Sequence, residues 1–373
     1  MKRLVTDDEV LRHLQAGLPI LDVRAPIEFD TGSLPGSFNL PLLDDLQRHE
    51  IGTVYKKQGS DQALALGWKL ISGDVLRARV EAWSKFCVDY PTAAVMCFRG
   101  GQRSQLVQKE LARLGFDVPL IEGGFKRVRG LLKRELEAAC TAFDWTLLSG
   151  YTGSGKTELL RSQTSRTQSI AYLDLEKAAR HRGSVFGPWP GGQPAPVTFE
   201  NELGLESSRL LSGRGADLQP RAWLEDESRS IGRLVLPLSV FNVLTSAKVW
   251  VLERPRIDRA RRLTDEYLRE NYGFVDGVPA DDSKLEAARL DIGRALVKIE
   301  KRLGGDECKT LLAMTDVASQ KFAQSGAFSA HWPWVERLLE KYYDPLYENH
   351  ISRIADRVVG RGPEEAFRSL ANT

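Results

Sequence analysis

Two short segments of this 373-residue chain carry residue types and spacings that suit anion chemistry. The first is Cys97-Phe98-Arg99-Gly100-Gly101-Gln102-Arg103-Ser104. A cysteine between an apolar run and a helix start sees backbone N–H groups and a positive helix end, and Arg99 and Arg103 add charge. Each of these favours a thiolate. An inert buried cysteine is the usual fate of a lone Cys, but two arginines and two glycines serve no packing purpose around an apolar thiol. Cys97, Arg99 and Arg103 are therefore the catalytic candidates, with Gly100, Gly101 and Ser104 forming the anion loop. Five residues separate Cys97 from Arg103, a spacing shared with the C-x-x-x-x-x-R loop of cysteine phosphatases.

The second segment, Gly150-Tyr151-Thr152-Gly153-Ser154-Gly155-Lys156-Thr157, has the G-x-x-x-x-G-K-T pattern of a P-loop. Its glycines turn N–H groups toward a phosphate chain, Lys156 brings a point charge, and the Thr157 hydroxyl reaches Mg²⁺. Gly150, Gly153, Ser154, Gly155, Lys156 and Thr157 are thus phosphate-binding candidates; which phosphate compound they hold is left open, since a diphosphate satisfies such a loop as well as a triphosphate does. Acids that could sit beside the metal are Asp174, Glu176, Glu225 and Glu227. Asp174 reads equally well as a helix N-cap; for 225–227 a solvated acidic turn is the alternative, and the metal-side reading is preferred. His181 and Arg182 are either anion contacts or structural residues.

Basic residues gather at Lys126, Arg127, Arg129, Lys133 and Arg134, and again at Arg254, Arg256, Arg259, Arg261 and Arg262. Each cluster alone reads as a solvated helix face. Together they are the candidates for contact with nucleic-acid phosphates. Trp189 and Tyr151 are aromatic candidates for stacking on a base, though core or loop packing suits either of them better.

The elements that must position these residues follow from apolar patterning. Residues 19–23, 93–96 and 118–121 read as buried strands, and a helix follows Ser104 with Leu106, Val107, Leu111 and Leu114 at helical spacing. Residues 125–140 read as a connecting helix. Residues 145–148, 169–173 and 248–252 form a second set of strands, and 187–194 is a Pro/Gly loop. From about 255 onward the period is helical, with Leu285, Ala288, Ile292, Leu296, Ile299 and Leu303 on one face. The fold class is α/β: an N-terminal parallel-sheet domain, then a P-loop α/β domain with a helical C-terminal region. The expected ranges are 1–125, a linker helix over 126–142, the P-loop domain over 143–275 and the helical region over 276–373.

Composition sets limits on this. Lys and Arg number 52 against 50 Asp and Glu, a net charge of +2, which excludes coating of nucleic acid by bulk charge but not a local basic groove. The four cysteines form no close pair, so no zinc site or disulfide framework is indicated. The start turns acidic within eight residues, unlike a signal peptide, and no apolar run is long enough for a membrane span. A cytoplasmic protein without a membrane role is expected.

The segments Leu21-Asp22-Val23-Arg24-Ala25-Pro26-Ile27-Glu28-Phe29 and Gly32-Ser33-Leu34-Pro35-Gly36 resemble the rhodanese signature, and Cys97 matches the sulfur-carrying cysteine of that domain. The loop after Cys97 is one residue longer than in sulfurtransferases. Rhodanese-like and P-loop parts in one chain resemble the tRNA 2-selenouridine synthase family. Further matches are Asp174-Leu175-Glu176, His181-Arg182-Gly183-Ser184, Phe186-Gly187, Phe199-Glu200-Asn201, 225–229 and Tyr342-Tyr343-Asp344-Pro345-Leu346-Tyr347. The resemblance implies a transferase that converts wobble 2-thiouridine of tRNA to 2-selenouridine. It implies S-geranylation from geranyl diphosphate, then selenium transfer from selenophosphate. No tightly bound cofactor is implied; Mg²⁺ would accompany the diphosphate. Two other readings compete: a P-loop kinase or NTPase with a regulatory rhodanese module, and a plain sulfurtransferase. ATP hydrolysis would favour the former, and tRNA-independent sulfur transfer from thiosulfate to cyanide the latter.

Overall fold

The computed structural model describes residues 2–167, 171–182, 191–213, 220–279 and 281–371. Trp189, Gly183, Ser184, Phe186, Gly187 and the first half of the 187–194 loop lie outside them, as does the start of the 169–173 strand. The chain divides into two compact units, one of residues 1–141 with 194–214 and one of residues 142–193 with 215–373.

The first unit is built on a parallel sheet of β1 (Arg3–Leu4), β2 (Ile20–Asp22), β3 (Ser37–Asn39), β4 (Ala94–Met96) and β5 (Leu120–Ile121), in the order β1-β5-β4-β2-β3. Alternation along these strands splits the core in two. Leu21, Val95 and Leu120 face a cluster with Trp83, Phe86 and Val107. Ile20, Ala94, Met96 and Ile121 face Val10, Phe125, Val128 and Leu132. A sheet buried on both faces explains why its strands read as short unbroken apolar runs.

Two segments fall elsewhere than contiguous ranges place them. The helix Gly124–Ala142 is more than a linker: its stripe of Phe125, Val128, Leu131, Leu132, Leu136 and Ala139 is buried, mostly against the first sheet. The helix Pro196–Gly213, which follows two strands of the second unit in sequence, packs with the first unit. Asn201 Nδ2 donates to the Ser33 carbonyl at 2.8 Å, and Ser33 N donates to Thr198 Oγ1 at 2.9 Å. Gly204 lies so close to Leu132 that an added Cβ would stand 2.4 Å from its carbonyl oxygen.

The second unit has a parallel sheet of β6 (Asp144–Gly150), β7 (Ala171–Tyr172), β8 (Arg221–Glu225), β11 (Lys248–Leu252) and β12 (Val358–Gly362), ordered β12-β11-β6-β8-β7. The short strands β9 (Ser230–Ile231) and β10 (Leu234–Val235) pair separately. Helices Asp282–Leu303, Gly305–Ser325 and Trp332–Leu338 form the helical region, with Ile292, Leu296, Ile299, Leu311 and Leu338 in one core. After it the chain returns to the sheet as β12, where the Trp250 indole lies 2.1 Å from the place a Gly360 Cβ would take. Only glycine allows that approach. No helix among the described residues is long and apolar enough to cross a membrane.

Candidate active sites

Each candidate loop leaves the C-terminal end of a central strand, where open α/β sheets bind ligands. In the first unit β4 runs into Cys97, which is 3% exposed, and the helix Gln102–Arg113 starts five residues later. Cys97 Sγ lies 3.2 Å from Ser104 Oγ. Gly100 has a φ of +64°, and an added Cβ would meet the Gly123 nitrogen and the Ile121 oxygen at 2.8 Å. Gly101 is under no such constraint, since nothing lies near its missing Cβ. The loop is anchored from outside: Phe125 N donates to the Cys97 carbonyl and Lys126 N to the Phe98 carbonyl, each at 3.0 Å.

Arg99 is exposed, whereas Arg103 is tied to Glu28 at 2.6 and 3.2 Å. Burial opposes ionisation of Glu28, yet Arg103 outweighs it and holds the carboxyl below its ordinary value. Beneath them Asp22 and Arg24 form a buried ion pair at 2.6 Å, with the guanidinium 3.8 Å over the Phe125 ring. Arg24 also holds the Gly32 carbonyl at 2.9 Å. Glu28 was visible only as part of the signature; its role as the partner of Arg103 is set by the fold.

In the second unit β6 ends at Gly150 and the helix Lys156–Thr167 follows the P-loop. Gly153 and Gly155 have φ of +81° and +87°, as a loop that exposes its amides requires. Lys156 Nζ donates to the Gly150 carbonyl at 2.8 Å. Ser154 is fully buried, and its hydroxyl finds no partner among the described residues. The loop opens on a cavity of about 840 Å³ lined by Lys156, Thr157, Glu176, Arg182, Glu225 and Arg262, among others.

Opposite Lys156 stand the acids. Ligand oxygens of Glu176, Glu225 and Glu227 lie within 4.8 Å of one another. Thr157 Oγ1 donates to Glu225 at 2.7 Å and lies 3.2 Å from a Glu176 oxygen, and the Tyr172 hydroxyl donates to Glu225. Burial, then the neighbouring carboxylates, push Glu176 up to about 9. Burial and Glu225 push Glu227 up to about 7. Crowded acids of this kind either keep protons or accept a cation. The set, with Thr157, fits a divalent ion.

Asp174 stands apart from that group. It caps the helix Leu175–Ala179 by accepting from Lys177 N at 2.9 Å, and it pairs with Arg161 at 2.6 Å. The N-cap alternative describes it, and it is not one of the three clustered acids. Arg182 lines the cavity, bound to Glu266 at 2.8 Å and to Glu270 at 2.5 Å. His181 is buried beside it.

Sequence reasoning missed His350. Its Nε2 lies 2.9 Å from Asp226 Oδ2 at the cavity edge, and Ser149 donates to the same carboxylate while its Oγ lies 3.0 Å from the Tyr347 hydroxyl. Hydrogen bonding to Asp226 raises His350 above its ordinary value; burial would raise Asp226, but His350 and Ser149 hold it low. The contribution of His350 to stability is therefore full below its unfolded pKa of 6.5 and is lost as pH rises through its higher folded value. The contribution of Asp226 is present above 3.8 and is lost as pH falls through its lower folded value. Asp226→Asn is expected to destabilise most between these limits. The effect is below about 1 kcal/mol, because His350 is half exposed. Melting temperatures of both proteins across pH should diverge in that window and narrow on either side.

The basic candidates separate. On the helix Gly124–Ala142, Arg127 and Arg134 both pair with Asp7 at 2.7 Å, Arg129 pairs with Glu200 at 3.1 Å, and Lys133 lies 3.8 Å from Glu137. Lys126 is exposed. In the second cluster Arg259 corrects the expectation: its side chain is 4% exposed and holds buried Asp344 at 2.8 Å, so it cannot reach a phosphate. It also donates to the Thr152 carbonyl at 3.2 Å and lies 4.8 Å from the Tyr151 ring centroid, which makes it a support of the P-loop. Arg256 pairs with Asp344 too, Arg254 with Glu364, and Arg262 with Glu158 beside Gly155. Arg261 is exposed, 4.6 Å over Trp332. Arg259→Ala is expected to cost about 3–5 kcal/mol in denaturant unfolding, the usual penalty for stranding one partner of a buried pair. An unchanged midpoint would contradict this role.

The family described as tRNA 2-selenouridine synthase AAA domain matches residues 143–373, and the rhodanese-like domain matches residues 6–130. A tRNA 2-selenouridine synthase of Shewanella loihica (strain ATCC BAA-1088 / PV-4) is 41% identical over 98% of this chain and 96% of its own length. The synthase of Shewanella pealeana (strain ATCC 700345 / ANG-SQ1) is 39% identical, over 97% of each. The chain belongs to the tRNA 2-selenouridine synthase family. Its first unit is thus rhodanese-like and its second the AAA domain of that family, and as a member the chain is a transferase. The Tyr342–Tyr347 run that carried part of the resemblance supplies Asp344 to Arg259 and Tyr347 to Ser149.

Proposed function

We propose that the chain converts wobble 2-thiouridine of tRNA to 2-selenouridine in the cytoplasm. The order is S-geranylation from geranyl diphosphate at the P-loop, then selenium transfer from selenophosphate at the Cys97 loop. The observation that carries this reading is the pair of separate anion loops, one facing an acid cluster and one built around a sulfur nucleophile. A thiocarbonyl sulfur leaves carbon poorly, and alkylation turns it into a better leaving group.

In the first step the base sulfur attacks C1 of the geranyl group and the allylic C–O bond breaks. The diphosphate departs with the electron pair, and the N3 proton is lost to solvent. Lys156 and the P-loop amides stabilise the charge that grows on the leaving oxygen. Glu176, Glu225, Glu227 and Thr157 would hold Mg²⁺, which supplies Lewis-acid stabilisation of the same charge.

In the second step Cys97 Sγ attacks phosphorus of selenophosphate, with Arg99 and Arg103 drawing in the anion. The P–Se bond breaks and hydrogen selenide leaves; water later cleaves the S–P bond to phosphate. Selenide adds to C2 of the alkylated base and geranylthiol departs. Lys126 and Arg261 are the exposed basic candidates for tRNA phosphates.

The test is incubation with 2-thiouridine tRNA, geranyl diphosphate and Mg²⁺, followed by nucleoside mass spectrometry. An S-geranyl adduct is expected. Its absence from active protein would overturn the reading.

A further inference from the structure

A second, small pocket lies directly beside the P-loop cavity. The two share Thr152, Leu263, Tyr267 and Tyr343 as walls. The rest of its lining is almost wholly carbon, including Leu268, Ile292, Val335 and Leu338. Apolar space of this kind stays dry and accepts apolar ligands.

Two further observations mark it. Trp334 Nε1 donates to His331 Nδ1 at 3.0 Å, so the neutral ring carries its proton on Nε2. His331 lines the pocket, and its Nε2 is buried and has no acceptor among the described residues. Burial pushes His331 down to about 4, so it stays neutral at physiological pH. A buried N–H without an acceptor is costly. The faces of carbon–carbon double bonds are apolar groups that still accept one.

The walls are also unusual. Tyr267 and Leu268 stand on a π-helical turn, Glu266–Glu270, and Leu339 and Tyr343 on another, Leu339–Tyr343. Both π-turns among the described residues thus border this one pocket. Such turns are rare and recur at functional sites.

We infer that this pocket takes the unsaturated hydrocarbon tail of the diphosphate whose head the P-loop holds, and that it opens when the two π-helical turns shift. The inference rests on the prenyl-diphosphate reading above and adds where the chain goes. The free space is about 30 Å³, less than a ten-carbon chain needs, which is why opening is part of the inference.

The experiment titrates the full chain, with Mg²⁺, against inorganic pyrophosphate and the dimethylallyl, geranyl and farnesyl diphosphates. Wild type is compared with Val335→Phe and Leu338→Ala, with folding checked by thermal unfolding. Wild type should bind geranyl diphosphate at least about 100-fold more tightly than pyrophosphate, from burial of the chain. Val335→Phe should lose about 10-fold or more for the geranyl compound while pyrophosphate stays within about twofold. Leu338→Ala should move the preference toward the farnesyl compound, and it carries the test alone if Val335→Phe does not fold. If wild type prefers long chains and a folded variant keeps that preference unchanged, the tail lies elsewhere and the pocket assignment is overturned while the donor reading stands. Equal affinity of wild type across the series overturns the prenyl-donor reading, and the pocket assignment with it.

Discussion

Cys97→Ser is expected to stop selenation by about 10⁴-fold or more while S-geranylation of 2-thiouridine tRNA continues. Serine keeps the size of the side chain and its place 3.2 Å from Ser104 Oγ, so the loop anchored by Gly100 and Gly124 should persist. What is lost is the thiol sulfur, a far better nucleophile than a serine hydroxyl. S-geranyl tRNA should accumulate when both donors are supplied, and nucleoside mass spectrometry reads both products. Loss of geranylation with selenation intact would reverse the division of labour between the two loops.

Lys156→Ala has the complementary outcome. Formation of S-geranyl tRNA should fall about 10³-fold, which corresponds to about 4 kcal/mol of transition-state stabilisation. Selenation of tRNA supplied already S-geranylated should continue. The loop itself is expected to hold its shape, because Gly153 packs against Leu263 and Thr152 is held by Arg259, neither of which involves the lysine. Single-turnover rates with each tRNA substrate check both halves. Equal loss in both assays would mean that the P-loop serves the selenium step as well.

The two loops were legible because their signals are local. A strand, a glycine-bearing turn and a helix start are consecutive in sequence, and the positive φ at Gly100, Gly153 and Gly155 is a demand on single residues. The strand over 248–252 and the helix around Ile292 and Leu296 were legible for the same reason, since periodicity needs only neighbours. The acids at 176, 225 and 227 were readable as candidates, but their gathering within 4.8 Å depends on β7 and β8 lying side by side.

Other features escaped because they are pairings across long separations. Arg259 sits in an arginine run that looks solvated, yet Asp344, 85 residues away, draws it into the interior. His350 gains its meaning only from Asp226, 124 residues earlier. The helix Pro196–Gly213 carries no mark that it leaves the unit of its sequence neighbours; its place is set by Gly204 fitting on Leu132 and Asn201 bonding Ser33.

By itself, then, the amino-acid order determined the fold class, the two anion loops and the family resemblance, since these rest on spacing, conformational freedom at glycine and apolar period. Tertiary structure alone decided which charges are free and which are bound, which acids meet, and that an apolar pocket adjoins the P-loop beside an imidazole whose N–H has no partner among the described residues. The physical reason is that charge pairing and burial are properties of side chains brought together from distant positions. A linear pattern holds no record of them until the sheets and helices are packed.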